Sequence, residues 1–173
     1  MHIKIEDLTP KKLMNFYLPV TLTAENNPVV LNKGAGGYGF LQSLLQTDGV
    51  TRVLLVGNIL SIRYDNDNAD DIRALTLAET DDFLASGSEE KFVSDVTDKE
   101  KIEALADALI RPTLNRDKGD INILSLREGV LTLEFTGHCA GCPYAQNTLQ
   151  NLIVKTIRRY MPQIQDVRLR ENK

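Results

Sequence analysis

The sequence predicts an α+β protein made of two small α+β domains, the second with the order α-β-β-α-β. Three observations carry this. In both halves of the 173 residues, short runs rich in Val, Ile and Leu alternate with stretches of helical apolar spacing. A small, polar segment, Ser86-Gly87-Ser88-Glu89-Glu90-Lys91, separates the halves. Charge divides at the same place: residues 1–96 carry 8 Lys and Arg against 14 Asp and Glu, and residues 97–173 carry 12 against 10, that is −6 and +2 in a net −4. The expected domains are 1–86 and 98–173, with a linker over 87–97.

In the first domain, Leu13 to Tyr17 and Pro28 to Leu31 read as short strands. A glycine-rich turn, Gly34 to Gly39, leads into a helix beginning at Phe40 and stopped by Asp48-Gly49. Val50 to Val56 and Ile59 to Tyr64 then read as a hairpin about Gly57-Asn58. A helix follows over about Ala69 to Leu84, capped by Asn68 or Asp67, with Ile72, Leu75 and Phe83 among its buried positions.

The second domain opens on Thr97-Asp98-Lys99-Glu100, a capping box. Ile102, Leu105 and Leu109 line one helical face until Pro112, which lacks an N–H and should kink or end the helix. Ile121 to Leu126 and Val130 to Phe135 read as antiparallel strands around Arg127-Glu128-Gly129. Leu149, Leu152, Ile153, Ile157 and Tyr160 make a broad helical stripe. Val167 and Leu169 suggest a last short strand.

Composition narrows the function. Apolar residues make up 42% of the chain and there is no Trp, so the cores must be aliphatic. A net charge of −4 argues against a nucleic-acid partner, which would need a basic face. No apolar run approaches the ~20 residues that span a bilayer, so no membrane partner is expected. The opening Met-His-Ile-Lys-Ile-Glu-Asp-Leu has neither a signal-peptide core nor a transit-peptide composition, and a cytoplasmic location is expected. In a reducing compartment a close cysteine pair points to metal or redox chemistry rather than to a structural disulfide.

The two cysteines of the chain are such a pair: Cys139-Ala140-Gly141-Cys142-Pro143. Gly137 ends a strand, the cysteines occupy the turn, and Pro143 suits the first position of the next helix. There the helix dipole and unpaired N–H groups favour thiolate over thiol. Three chemistries suit this setting: an iron–sulfur cluster, a zinc site and a dithiol–disulfide switch. A c-type haem is excluded, because Pro143 rather than His follows Cys142. A thioredoxin-like site would need a βαβ unit before the cysteines, which the pattern lacks. The metal chemistries need four ligands, and His138 is the one other candidate nearby. Two copies of the pair across a two-fold axis would complete the shell.

Beyond the pair, residues 98–171 resemble the carboxy-terminal domain of NifU, found in the Nfu proteins of iron–sulfur cluster assembly. The resemblance lies in Gly137-His138-Cys139-Ala140-Gly141-Cys142-Pro143, Thr148-Leu149, Tyr160-Met161-Pro162, Ile110-Arg111-Pro112, Leu114 and Asp117-Lys118-Gly119-Asp120. Lys118 stands where the family has the first of two glycines, His138 where a small residue is usual, and Tyr144-Ala145 where two serines are common. The first domain resembles the amino-terminal domain of Nfu proteins through Thr9-Pro10, Phe16, Leu44-Leu45, Gly49-Val50, Val53 and Gly57-Asn58-Ile59-Leu60-Ser61-Ile62. Pro10-Lys11-Lys12 departs from the family's Asn-Pro-Asn.

The resemblance implies a scaffold or carrier rather than an enzyme. It would bind a [4Fe–4S] cluster between two subunits through Cys139 and Cys142, receive it from upstream cluster assembly proteins and pass it to apo iron–sulfur proteins. A cluster-bridged homodimer is the expected assembly. The alternative from a different class is a Cys-x-x-Cys dithiol–disulfide oxidoreductase.

Other motifs in the chain are incomplete. Gly34-Ala35-Gly36-Gly37-Tyr38-Gly39 fits a dinucleotide fingerprint but lacks the parallel βαβ unit and the following acid. Asp65, Asp67, Asp70 and Asp71 lack the glycine and terminal Glu of a calcium loop. Arg158 and Arg159 suit the C-terminal end of a helix dipole. His2 is expected to be exposed.

Overall fold

The computed structural model describes residues 2–141 and 143–170. The chain divides into two compact units, Met1–Val96 and Thr97–Lys173. Both mix helices and strands, as an α+β reading requires.

The first unit runs β1 (Lys4–Leu8), β2 (Leu13–Tyr17), β3 (Val29–Asn32), α1 (Phe40–Gln46), β4 (Val50–Val56), β5 (Ile59–Tyr64) and α2 (Ala69–Ser86). Its strands form one antiparallel sheet in the order β1-β2-β5-β4-β3. Alternation along the strands puts Met14, Phe16, Val53, Leu55, Leu60 and Ile62 in one cluster with Phe40, Leu44 and Ile72 of the helices. Burying each such side chain stabilises the unit by ~1.5–3 kcal/mol before the entropy of ordering is counted. The Gly57-Asn58 turn brings Val56 opposite Ile59, as the spacing predicts. Strand β1 is an addition to the sequence reading. Its apolar residues are only Ile5 and Leu8, and Ile5, with Ile3 just before the strand, is partly buried against the core.

Two expectations about α2 are corrected. Leu75 is not buried but 49% exposed, while Ile72, Thr76 and Thr80 are buried. At about 100° per residue, Ile72, Thr76, Thr80 and Phe83 fall within one narrow arc, and Leu75 lies well outside it. The Thr80 hydroxyl meets burial by donating to the Thr76 carbonyl at 2.6 Å. Asn68 holds the cap position but its side chain makes no capping bond. Instead its backbone N–H donates to Asn66 Oδ1 at 3.0 Å.

Residues 87–96, expected within a linker, pack on the first unit. Phe92 meets Phe83 edge to face, and Phe83 stacks on Phe40 at 4.4 Å between ring centroids. The Ser94 hydroxyl accepts from Val30 N–H at 3.1 Å and donates to Val30 C=O at 2.9 Å. A side chain thus occupies part of the open edge of β3.

The second unit runs α3 (Asp98–Leu105), a π turn (Ala106–Ile110), α4 (Arg111–Arg116), β6 (Gly119–Arg127), β7 (Val130–Gly137), a 3-10 turn (His138–Gly141), α5 (Pro143–Tyr160) and β8 (Asp166–Leu169). The sheet order is β6-β7-β8. Strands β6 and β7 are an antiparallel hairpin, and β8 returns parallel to β7 after the α5 crossover. Glu128 and Gly129 both have positive φ, 49° and 75°, the conformation of a tight two-residue hairpin turn.

Pro112 does not end the helical region. It falls in the first turn of α4, where no N–H is required, and the wide turn before it absorbs the break. That turn also rotates the buried face. Ile102 and Leu105 are buried as expected, but Ile110 rather than Leu109 continues the face toward Leu114.

The capping box forms: Glu100 N–H donates to Thr97 Oγ1, and Thr97 N–H and hydroxyl donate to the Glu100 carboxylate. The Thr97 donors hold the Glu100 carboxyl below the ordinary value of 4.5. Its contribution is therefore present above the unfolded-state pKa and is lost as pH falls through the lower folded one. Thr97→Ala should cost about 1 kcal/mol near neutrality. In melts of the two proteins, the gap in thermal midpoint should narrow as pH falls from about 6 to about 3.

Candidate functional site

Strand β7 delivers the chain to the cysteine turn, and α5 leaves it. Cys139 lies in the 3-10 turn and is 3% exposed, between the exposed His138 and the partly exposed Ala140. Cys142 lies outside the described residues. α5 begins at Pro143, so the turn feeds directly into the helix N-terminus, where the dipole favours thiolate.

Cys139 is seated against the start of β6. A Cβ on Gly119 would overlap the Cys139 sulfur and stand 2.9 Å from its Cβ and 3.2 Å from its backbone nitrogen. The missing side chain of Gly119 is the space in which the sulfur sits. Gly137, at φ 64°, allows a second close approach: a Cβ there would lie 2.5 Å from the Lys118 carbonyl. That carbonyl accepts from His138 N–H at 3.2 Å. The β7 end, the 117–119 turn and the cysteine turn therefore form one tightly packed corner.

Lys118 pays for this corner in backbone strain, with φ at 58° in the left-handed region. Asn115 steadies the turn by donating from Nδ2 to the Gly119 carbonyl at 2.8 Å.

Behind the corner stands Arg111. Its guanidinium contacts Asp107 at 2.6 Å, Asp120 at 3.1 Å and Glu103 at 3.3 Å, and it donates to the Ile121 carbonyl at 3.1 Å. Burial works to lower its pKa, but the three carboxylates outweigh burial and hold it above the ordinary value. Through Asp120 and Ile121, Arg111 ties α4 to the strand that seats Cys139. A third support comes from α5: Gln146 donates from Nε2 to the carbonyls of Cys139 at 3.1 Å and Ala140 at 2.8 Å. Neither the contact of Gln146 nor that of Gly119 is visible in spacing, because each joins segments through the third dimension.

Among the described residues no group of three or more His, Cys, Asp or Glu is placed to hold a metal ion. His138 is exposed and gives the turn a backbone bond. His2 is exposed too. Arg158 and Arg159 are exposed at the end of α5, with the Arg159 guanidinium 5.3 Å from the Tyr160 ring centroid.

The incomplete motifs are filled by the protein itself. Phe40 N–H, at the end of the glycine-rich loop, donates to both oxygens of Glu90 at 3.2 and 3.0 Å, placing a carboxylate where a nucleotide phosphate would have to bind. The acidic loop before α2 takes the Lys12 ammonium, which donates to Asp65 O at 3.3 Å, Asn66 O at 3.1 Å and Asp67 Oδ1 at 3.0 Å. No helix among the described residues is long and apolar enough to cross a membrane.

Residues 102–168 match the NifU-like domain family, and this span contains the whole corner around Cys139. The chain is 25% identical over 181 aligned positions, 96% of its length, to the "NFU1 iron-sulfur cluster scaffold homolog, mitochondrial" of Drosophila virilis. Its identity to the protein of the same name from Homo sapiens is 28% over 142 positions and 73% of its length. Residues 102–168 are thus a NifU-like domain, and the chain as a whole is similar to Nfu scaffold proteins. It covers 61% and 54% of the length of those two relatives. A crystal structure of a Staphylococcus aureus protein aligns over 46% of this chain and 99% of that one, at 19% identity and a TM-score of 0.39.

Two substitutions test this corner. Gly119→Ala forces a methyl into the space of the Cys139 sulfur and should destabilise the second unit by about 1–3 kcal/mol in urea unfolding. Lys118→Gly relieves the left-handed strain, and should stabilise the unit by up to about 1 kcal/mol in the same measurement.

Proposed function

We propose that this chain is an iron–sulfur cluster scaffold that holds a [4Fe–4S] cluster as cargo between two copies and passes it to apo-proteins. The observation that carries the reading is the seat of Cys139: a ligand-bearing turn fixed by Gly119, Gly137 and Gln146 at the head of α5, inside a NifU-like domain. The relatives' name, iron–sulfur cluster scaffold homolog, supports the same role.

Four thiolates suit such a cluster, and one chain supplies two, Cys139 and Cys142. A second copy supplies the remaining two by symmetry. The helix dipole of α5 offsets part of the negative charge that a thiolate-ligated cluster brings. Release is ligand exchange: an acceptor's thiolates replace those of Cys139 and Cys142 at iron, each displaced thiolate taking up a proton or remaining charged, with no net redox change. The chain then returns unchanged, as a carrier rather than an enzyme.

Anaerobic reconstitution with ferrous iron and sulfide tests this. The wild-type chain should retain about four irons per two chains and turn brown. Cys139→Ser and Cys142→Ser should each retain almost none while both units keep their thermal transitions. Iron retained equally by the serine variants would overturn the proposal. A reversible disulfide with catalysed reduction of model disulfides, and no iron, would support the dithiol oxidoreductase instead.

A further inference from the structure

We propose that Gln146 is a positioning residue that holds the cysteine turn closed over the Cys139 thiol, so that cluster loading requires its two hydrogen bonds to open. The inference rests on reading Cys139 as a cluster ligand.

The geometry begins with helix direction. Side chains on an α-helix lean toward its N-terminus, so a long side chain in the first turn of α5 reaches back over the segment before it. Gln146 is the fourth residue of α5, and its carboxamide meets the carbonyls of Cys139 and Ala140 at 3.1 and 2.8 Å. A single carboxamide nitrogen carries two hydrogens, enough for both acceptors. The group is neutral, so the hold is independent of pH.

The second half of the argument is burial. Cys139 is 3% exposed, its sulfur occupying the space left by Gly119. A sulfur in that seat cannot reach an iron shared with another copy, so it has to leave. The Cys139 Cβ and backbone nitrogen also lie against Gly119, so turning the side chain alone leaves the residue seated; carrying the thiol out moves the backbone of the turn, and with it the Cys139 carbonyl, one of the two acceptors of Gln146. Unseating the thiol and breaking the Gln146 contacts are therefore one motion. Gly137, with its positive φ, and the exposed Gly141 flank the turn and supply backbone freedom for it.

The test measures alkylation of Cys139 by iodoacetamide, by mass, in a chain carrying Cys142→Ser so that one thiol remains. With Gln146 in place, the native rate should be at least about tenfold below the rate in denaturant. Gln146→Met keeps the length and removes the donors. It should raise the native rate about tenfold at every pH, with the midpoint of the pH profile unmoved. Equal rates with Gln and Met overturn the proposal, as does a gain that comes wholly from a shifted midpoint. If circular dichroism shows the Met variant unfolded, Gln146→Ala takes its place: a native rate equal to that of the Gln146 chain overturns the latch, and a rate raised tenfold or so supports it. Iron retention is measured separately on the chain with both cysteines. A chain that binds no iron defeats the scaffold reading and leaves the alkylation result standing. A chain that binds iron with an unprotected Cys139 defeats the latch alone.

Discussion

The cysteine corner depends on a side chain that is absent. At Gly119 the start of β6 comes so close to Cys139 that even a methyl group would collide with the sulfur. The surrounding features serve this approach. Lys118 adopts a left-handed backbone to turn α4 into β6, Gly137 lets the end of β7 pass the Lys118 carbonyl, and Arg111 clamps α4 to β6 through Asp120 and the Ile121 carbonyl. Each cost is local and small, about 1–2 kcal/mol for a left-handed lysine, and is tolerable because packing on all sides determines the conformation.

On the scaffold reading proposed above, this construction separates fold from cargo. The apolar residues that hold the second unit together, such as Ile102, Leu105, Leu114, Leu133, Phe135 and Ile157, lie in its helices and sheet. The cysteine turn packs against the start of β6 at the corner where β7 meets α5. A cargo that must leave is well served by ligands whose loss does not unfold the unit. Closing the thiol against Gly119 also shelters it from oxidation, since reactivity follows exposure as well as thiolate character.

The regular elements were legible because their periodicities are strong. The β4–β5 hairpin, the capping box at Thr97 and the alternating β7 stand where spacing places them. β1 escaped because its apolar residues, Ile5 and Leu8, are three apart and out of step with a two-residue period. Leu75 is apolar yet exposed because it lies outside the arc that Ile72, Thr76 and Thr80 define, and the turn before Pro112 moves the buried face from Leu109 to Ile110. At the site, the cysteine pair and the helix start were readable as local patterns. The roles of Gly119, Arg111 and Gln146 were not, since each acts on a segment its neighbours in sequence do not identify. Glu90 and Lys12 likewise show why motif matches mislead: a glycine-rich loop and an acidic loop are each satisfied by a distant side chain of the same unit.

The central claim is that two chains together hold one cluster, because each offers two thiolates. Native mass spectrometry of the anaerobically reconstituted chain tests it most directly. The account predicts a species of two chains plus one four-iron, four-sulfide cluster that falls to apo chains when a chelator removes the iron. A single chain carrying a complete cluster would contradict it.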